Sequence, residues 1–168
     1  MNAFHVLADS LDDLAGAVGP LTARQFSSRT RGASGSISGH VRHCLDHVEA
    51  LERAIAGGLC CYDDRTRGTA VEDDPGVACA RLAACRMRLT QHGPEVLHRP
   101  LILSVRISAD GVIVQPPTTV AREVAFVISH TVHHAAVIAL LLEDMGAERP
   151  DRFGLAATTP ALEALCAR

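Results

Sequence analysis

The sequence is poor in aromatic residues, which make up 3% of its 168 positions and include no Trp and a single Tyr. A core rich in large rings is therefore excluded, and the core has to be built from Leu, Val, Ile and Ala. Such side chains favour packed helices, although Val-rich strands are compatible with this composition. Hydrophobic residues make up 48% of the chain, which is ordinary for a folded domain and too high for disorder.

Basic blocks and long apolar runs are also missing. The chain has 16 basic and 19 acidic residues, for a net charge of −3, so nucleic-acid binding is not expected. The longest apolar run covers residues 135–142, far below the roughly 18 residues that a membrane span requires. The N-terminal segment lacks a positively charged start, so no signal peptide is predicted, and we expect a cytoplasmic protein without a membrane partner.

The cysteine pattern does not indicate a disulfide framework. The chain has six cysteines but no C-x-x-C motif, and Cys60 and Cys61 are adjacent. Cys44, Cys79 and Cys85 fall within helical patterns. Because no secretion signal is recognised, reduced thiols are predicted.

Apolar residues recur every three or four positions in four segments, which predicts four main helices. Ser36 or Ser38 is the expected N-cap of the second helix, and Asp74-Pro75 is a typical start for the third. The third helix is expected to face inward with Val77, Leu82, Cys85 and Leu89. The predicted helices cover residues 3–18, 36–56, 75–91 and 119–145, with a short helical turn at 22–26.

One segment before the last helix is typical of strands. Residues 101–107 and 112–114 flank an Ala-Asp-Gly turn, which predicts a β-hairpin closed by Pro116-Pro117. Residues 59–73 are predicted to be a charged connection, and a short helix is expected from Pro160. The predicted fold is all-α: one domain over 1–168, a four-helix bundle with a small β-hairpin inserted before the last long helix.

Histidines are concentrated on two of the predicted helices. The second helix carries His40, His43 and His47, and the last carries His130, His133 and His134. His130 and His134 are spaced i and i+4 within the apolar stripe, a spacing at which two imidazoles can bind one metal ion.

On the second helix the pattern does not select a ligand, because His40 and His47 border the apolar stripe and His43 lies slightly toward the polar side. A buried histidine often has only a hydrogen-bonding role, which is the plainer alternative. Two histidine-rich faces in one small bundle, with buried imidazoles that need partners, nevertheless favour a metal site.

The same residues resemble a known family. The segments ISGHVRHCLDHVEAL and SHTVHHAAVI look like the DinB/YfiT superfamily of bacterial four-helix-bundle proteins, which includes DNA-damage-inducible proteins and enzymes that use bacillithiol or mycothiol. The resemblance implies two metal ligands from the last helix, here His130 and His134. It implies His43 as the ligand from the second helix, because Leu51 follows at the family's spacing and His40 precedes it by three positions.

Several neighbouring residues are candidates for a supporting role. They are alternative ligands or partners that fix the ring tautomers of the ligands: His40, His47, His133, Glu123 and Asp46. Tyr62, Arg65 and Arg67 in the polar loop are candidates for substrate binding, since such loops often lie over the open end of a bundle; a solvated linker is the alternative. No catalytic nucleophile is identified, and nothing in the sequence indicates that Cys60 or Cys61 is activated.

Three protein ligands leave coordination positions open, which is typical of catalytic sites. We expect a divalent transition metal such as zinc, nickel or iron, and the resemblance implies a low-molecular-weight thiol that attacks a small-molecule substrate. The first hypothesis is a metal-dependent enzyme of the thiol-transferase or hydrolase type, with a homodimer as a candidate assembly. The alternative is a non-catalytic metal-binding or stress-response protein with a structural metal.

Overall fold

Four long helices form the frame of the molecule. The computed structural model describes residues 2–29, 35–64 and 67–159. The helices are α1 (Ala3–Val18), α2 (Ala23–Ser27, a short one), α3 (Ile37–Gly57), α4 (Pro75–Leu89) and α5 (Val120–Asp144). Helices α1 and α3 each pack against both α4 and α5, so α1 and α3 occupy diagonal positions in a four-helix bundle.

The helix boundaries follow the capping residues that the sequence indicated. Ser36 accepts a hydrogen bond from the Gly39 amide at the start of α3, and Asp74 does the same for Gly76 at the start of α4. Each cap provides an acceptor for an amide that has no partner within its helix. Gly58 ends α3 in the left-handed conformation, at φ 82°, which costs glycine little because it has no Cβ.

A small sheet lies between the helices in sequence. Its strands are β1 (Leu59–Cys61), β2 (Pro100–Arg106), β3 (Ile113–Val114) and β4 (Pro117–Thr119). Strand β2 is parallel to β1 and antiparallel to both β3 and β4. The predicted strand insertion before the last helix is thus confirmed, although it is a four-stranded sheet rather than a lone hairpin.

Two strands were not predicted. Strand β1 falls inside the predicted charged connection, and its partner at Ile102 is distant in the chain from Leu59. Pro117 was expected only to close the hairpin, yet it is the first residue of β4 and pairs with Ile102. A proline is tolerated at the start of a strand because no ladder hydrogen bond is needed from its nitrogen there.

The hydrophobic core lies where the four long helices meet. Leu82, Cys85 and Leu89 of α4 are buried as predicted, but Val77 is 40% exposed, so its predicted inward position is wrong. The neighbouring Ala78 makes the core contact in that turn. Further fully buried side chains from the other helices include Phe4, Leu7, Leu11, Leu51, Ile138 and Leu142.

Helix α5 is the one described helix that is long and apolar enough to cross a membrane by length and composition. That observation is weak evidence, because the core helix of a soluble protein has the same properties. Here α5 packs against α1 and α3. The five cysteines in the described ranges are free thiols. The helix predicted from Pro160 lies outside the described residues, and the extent of the domain over 1–168 stays a prediction.

Candidate metal centre

The packing of α3 against α5 brings two histidine rings together. The Nε2 atoms of His43 and His130 lie 3.0 Å apart, and both side chains are half-buried. His47, one turn after His43, completes a group of three: one ring nitrogen from each of His43, His47 and His130 lies within 4.8 Å of the others. The rings of His47 and His130 are stacked, with centroids 4.1 Å apart.

The hydrogen bond of His47 determines which of its ring nitrogens carries the proton. Its Nδ1 lies 3.0 Å from the carbonyl oxygen of His43. A carbonyl oxygen can only accept, so Nδ1 carries the proton, and in the neutral ring Nε2 offers its lone pair. A backbone carbonyl on the second ring nitrogen is a common partner of metal-binding histidines, because it fixes the tautomer and orients the ring.

His134 belongs to the same group of rings but has a different partner. Its ring centroid is 4.5 Å from that of His130 and 4.7 Å from that of His43. Its Nδ1 lies 2.9 Å from the Nδ1 of His40, which is buried at 8% exposure. His133 is exposed at the side of the group, with its ring centroid 5.2 Å from that of His134.

The surroundings of these rings favour neutral imidazoles. Burial, followed by the neighbouring His130, His40 and His133, lowers the pKa of His134 to about 3. Burial, followed by His133, also lowers the pKa of His40 below its ordinary value. Positive charge is thus disfavoured within the group. A neutral imidazole is the form that binds a metal ion, so the environment suits one.

The donor set also fits a transition metal in its spacing. Two nitrogens bound to one tetrahedral zinc ion, each about 2.0–2.1 Å from it, lie about 3.4 Å apart. The Nε2 atoms of His43 and His130 are 3.0 Å apart. A small movement of the two rings would bring them to the separation that a shared ion requires. Three imidazoles suit zinc, nickel, iron or copper, so the residues do not select one metal.

Of the predicted ligands, His43 and His130 contact each other directly. The spacing of the ring nitrogens favours His47 as the third ligand, whereas the family pattern favours His134. Both rings contact His43 and His130. The assignment of His134 therefore stays a prediction, with His47 as the alternative.

The two acidic residues predicted to support the ligands, Asp46 and Glu123, lie in different environments. Asp46 forms an ion pair with Arg42 on the polar side of α3. Glu123 is fully buried and accepts hydrogen bonds from Tyr62, Thr118 and Arg122. Its connection to the histidines runs through Tyr62, whose ring stacks on that of His47 with centroids 4.9 Å apart and an angle of 11° between the planes.

The loop residues predicted to bind substrate do not share one environment. Tyr62 is buried against the histidines, Arg67 is exposed, and Arg65 lies outside the described residues. The contact between Tyr62 and Glu123 could not be predicted from the sequence, because 61 positions separate the two residues. A single tyrosine in the whole chain was the available signal.

Cys60, two residues before Tyr62, is not an activated nucleophile. Burial raises the pKa of the Cys60 thiol to about 11, with the neighbouring Glu123 and Cys61 adding to the effect. Cys60 therefore stays protonated near neutral pH, and thiols react as thiolates. Cys61 is half-buried at the end of β1.

A cavity of about 510 Å³ lies beside the polar face of α3. Its walls carry charges of both signs, including Arg42, Asp46 and Glu49 from α3 and Asp64 from the loop after β1. Arg42 and Asp46 directly precede His43 and His47 in the sequence. None of the described histidines lines this cavity, so it is a neighbour of the metal centre and not its mouth.

The comparisons with known proteins agree with the bundle. No family model matches the sequence. Among solved structures, YfiT from Bacillus subtilis superposes with a TM-score of 0.62 over 87% of each chain, at 17% sequence identity. The chain has the YfiT fold. YfiT is described as a probable metal-dependent hydrolase with an unusual four-helix-bundle topology. The four-helix-bundle fold that the resemblance implied is thus confirmed.

One curated protein is similar in sequence. FK506-binding protein 5 from Rhizopus delemar is 31% identical over 99 residues, which make up 58% of this chain. The matched region spans 26% of that relative's length, so the match concerns only a part of the larger protein.

Proposed function

We propose that this chain is a divalent-metal-dependent enzyme that acts on a small molecule, with hydrolysis as its reaction. The observation that carries the proposal is the cluster of ring nitrogens from His43, His47 and His130 within 4.8 Å of one another. Support comes from the fold, because YfiT, at a TM-score of 0.62, is described as a probable metal-dependent hydrolase.

In this proposal, His43 and His130 hold the ion, and His47 or His134 provides the third nitrogen. A divalent ion in a three-histidine site would supply Lewis-acid chemistry, which would lower the pKa of a water molecule or a thiol toward neutral pH. His43 and His130 are half-buried and not fully enclosed, so a small molecule could reach the cluster. Three protein ligands would leave coordination positions for it.

The other residues of the site keep the ligands neutral and oriented. The Nδ1 proton of His47 is held on the carbonyl oxygen of His43. Cys60 is a poor candidate for a covalent nucleophile, since burial raises its pKa to about 11. An external nucleophile is therefore favoured over a thiol of the protein, and water makes the reaction a hydrolysis.

The resemblance to the thiol-using enzymes of the DinB/YfiT superfamily suggests a thiol as an alternative nucleophile to water. A low-molecular-weight thiol would replace water as the attacking group, forming a thioether or thioester as the substrate's leaving group departs. Both versions take a small molecule as substrate in a cytoplasmic setting.

The test is turnover by protein loaded with zinc, nickel or, without oxygen, ferrous iron. One panel contains p-nitrophenyl carboxylic and phosphate esters in water, and the other contains 1-chloro-2,4-dinitrobenzene with glutathione or cysteine. We expect metal-dependent turnover in the water panel that His43→Ala abolishes. Turnover confined to the thiol panel would identify a transferase. Bound metal without turnover in either panel, together with unfolding on chelation, would instead indicate a structural metal.

A further inference from the structure

Glu123 is a buried carboxylate for which the proposed chemistry has no direct use. It lies in the first turn of α5 with no solvent exposure. A carboxylate is costly to bury unless hydrogen bonds and a positive charge compensate it. Here Tyr62 donates at 2.9 Å, Thr118 at 2.7 Å and Arg122 at 2.8 Å. Three donors, one of them positively charged, therefore compensate the buried Glu123 carboxylate.

The donors tie two strands of the sheet to α5, which carries three of the six histidines clustered on α3 and α5. Tyr62 directly follows β1, and Thr118 belongs to β4. Both hydroxyls meet the same carboxylate at the start of α5. Anchoring the sheet would be a sufficient role for Thr118, but Tyr62 makes a further contact that Thr118 does not.

That further contact is with the metal centre. The ring of Tyr62 stacks on the ring of His47, with centroids 4.9 Å apart and an angle of 11°. Phe126 lies 5.2 Å from Tyr62 and 5.6 Å from His130, measured between centroids. Tyr62 is therefore part of a continuous group of rings that includes two histidines of the cluster.

His47 is held at two places. Its Nδ1 is fixed by the carbonyl oxygen of His43, and its face is covered by Tyr62. A phenol ring has only two side-chain torsions, so a hydrogen bond at its hydroxyl determines where the whole ring lies. Burial raises the pKa of Tyr62, with Cys60 and Glu123 adding to the rise, so the hydroxyl remains a donor over the physiological range.

We propose that Glu123 and Tyr62 are positioning residues of the metal centre: the carboxylate fixes the phenol, and the phenol fixes the ring of His47 so that its ligand nitrogen stays close to those of His43 and His130. This inference rests on the proposed metal site. Partners beyond the ligands commonly change metal affinity by 10- to 100-fold when they are removed, because they orient the ligand rings.

The experiment measures Co²⁺ binding and the visible d–d spectrum of the full chain, for wild type, Tyr62→Phe and Thr118→Val. Tyr62→Phe keeps the ring but removes the hydroxyl that reaches Glu123. Thr118→Val removes another hydrogen bond to the same carboxylate without touching a histidine. We expect Tyr62→Phe to weaken Co²⁺ binding by about tenfold and to shift the spectrum, and Thr118→Val to leave both as in wild type.

A double variant distinguishes a loss of metal binding from a loss of folding. Tyr62→Phe leaves Glu123 with one donor fewer, which can destabilise the fold. The double variant Tyr62→Phe/Glu123→Gln removes the buried charge and keeps an oxygen that accepts from Thr118 and Arg122. It is expected to remain folded and still to show the weaker binding and the shifted spectrum. A wild-type affinity and spectrum in a folded Tyr62→Phe or double variant would overturn the proposal. If wild type itself binds no Co²⁺, the metal site has failed, and with it this inference.

Discussion

The Nε2 atoms of His43 and His130 lie 3.0 Å apart, although 87 positions separate these residues in the chain. The contact exists because α3 packs against α5 and each helix turns a histidine toward the other. Two ring nitrogens this close repel unless a proton or a metal ion lies between them. His47 and His134 each contact both rings of this pair.

The first prediction concerns the third ligand. His47 and His134 each complete a set of three imidazoles with His43 and His130. Each single variant, His47→Ala or His134→Ala, is therefore expected to bind Co²⁺ more weakly without losing it. The double variant should lose it, because two imidazoles remain. Isothermal titration of the three proteins measures this.

One result would contradict this prediction. If one of the single variants loses the metal as completely as His43→Ala, that residue is the sole third ligand, and the two sets are not interchangeable. His133→Ala serves as the matched control, because this histidine of α5 is exposed and lies outside both sets.

The second prediction concerns the core. Leu82 of α4 is fully buried, so Leu82→Ala removes packed methyl groups and leaves a cavity. We expect the free energy of unfolding to fall by about 2–5 kcal/mol. Met87→Ala on the same helix, at a side chain that is 59% exposed, is expected to change it by less than about 0.5 kcal/mol. Urea unfolding of both variants gives the values, and similar losses would mean that α4 does not face the core as described.

The third prediction concerns alkaline pH. Burial raises the pKa of the fully buried Cys44 thiol from 9.0 to about 12. The unfolded chain therefore loses a proton above pH 9 that the folded chain keeps, and the contribution of this group is lost as the pH rises. At pH 10 the linkage amounts to about 1.4 kcal/mol for such a thiol.

This pH effect is measured by urea unfolding at pH 7 and pH 10 for wild type and Cys44→Ala. The variant starts from a lower stability because the side chain is shortened, so the quantity of interest is the change between the two pH values. We expect wild type to lose about 1.4 kcal/mol more than the variant over this range. Equal losses would show that Cys44 is not buried as a protonated thiol.

Local signals predicted the helices, and long-range contacts explain what was missed. Ser36 and Asp74 accept hydrogen bonds from amides two or three residues away, so their roles can be inferred from a few adjacent residues. Strand β1 pairs with Ile102 from Leu59, and nothing in its own three residues indicates that partner. The inward position predicted for Val77 was wrong because periodicity is least decisive in the first turn of a helix.

The candidate site shows the same division. The spacing of His130 and His134 and the two histidine-rich helices were visible in the sequence, and the structure brings these helices together. The distance between ring nitrogens depends on how α3 is rotated against α5, which no single-helix pattern determines. For that reason the sequence could not separate His43 from His47, and it could not connect Tyr62 to Glu123.

The most direct test of the metal centre is the metal content of the chain, purified without a histidine tag and measured by elemental mass spectrometry beside His43→Ala and His130→Ala. The proposal predicts about one transition-metal ion per wild-type chain and a loss of that ion in both variants, since these two histidines belong to every three-ligand set. Wild-type protein that binds no metal even with excess zinc or nickel, or variants that keep the full complement, would contradict it.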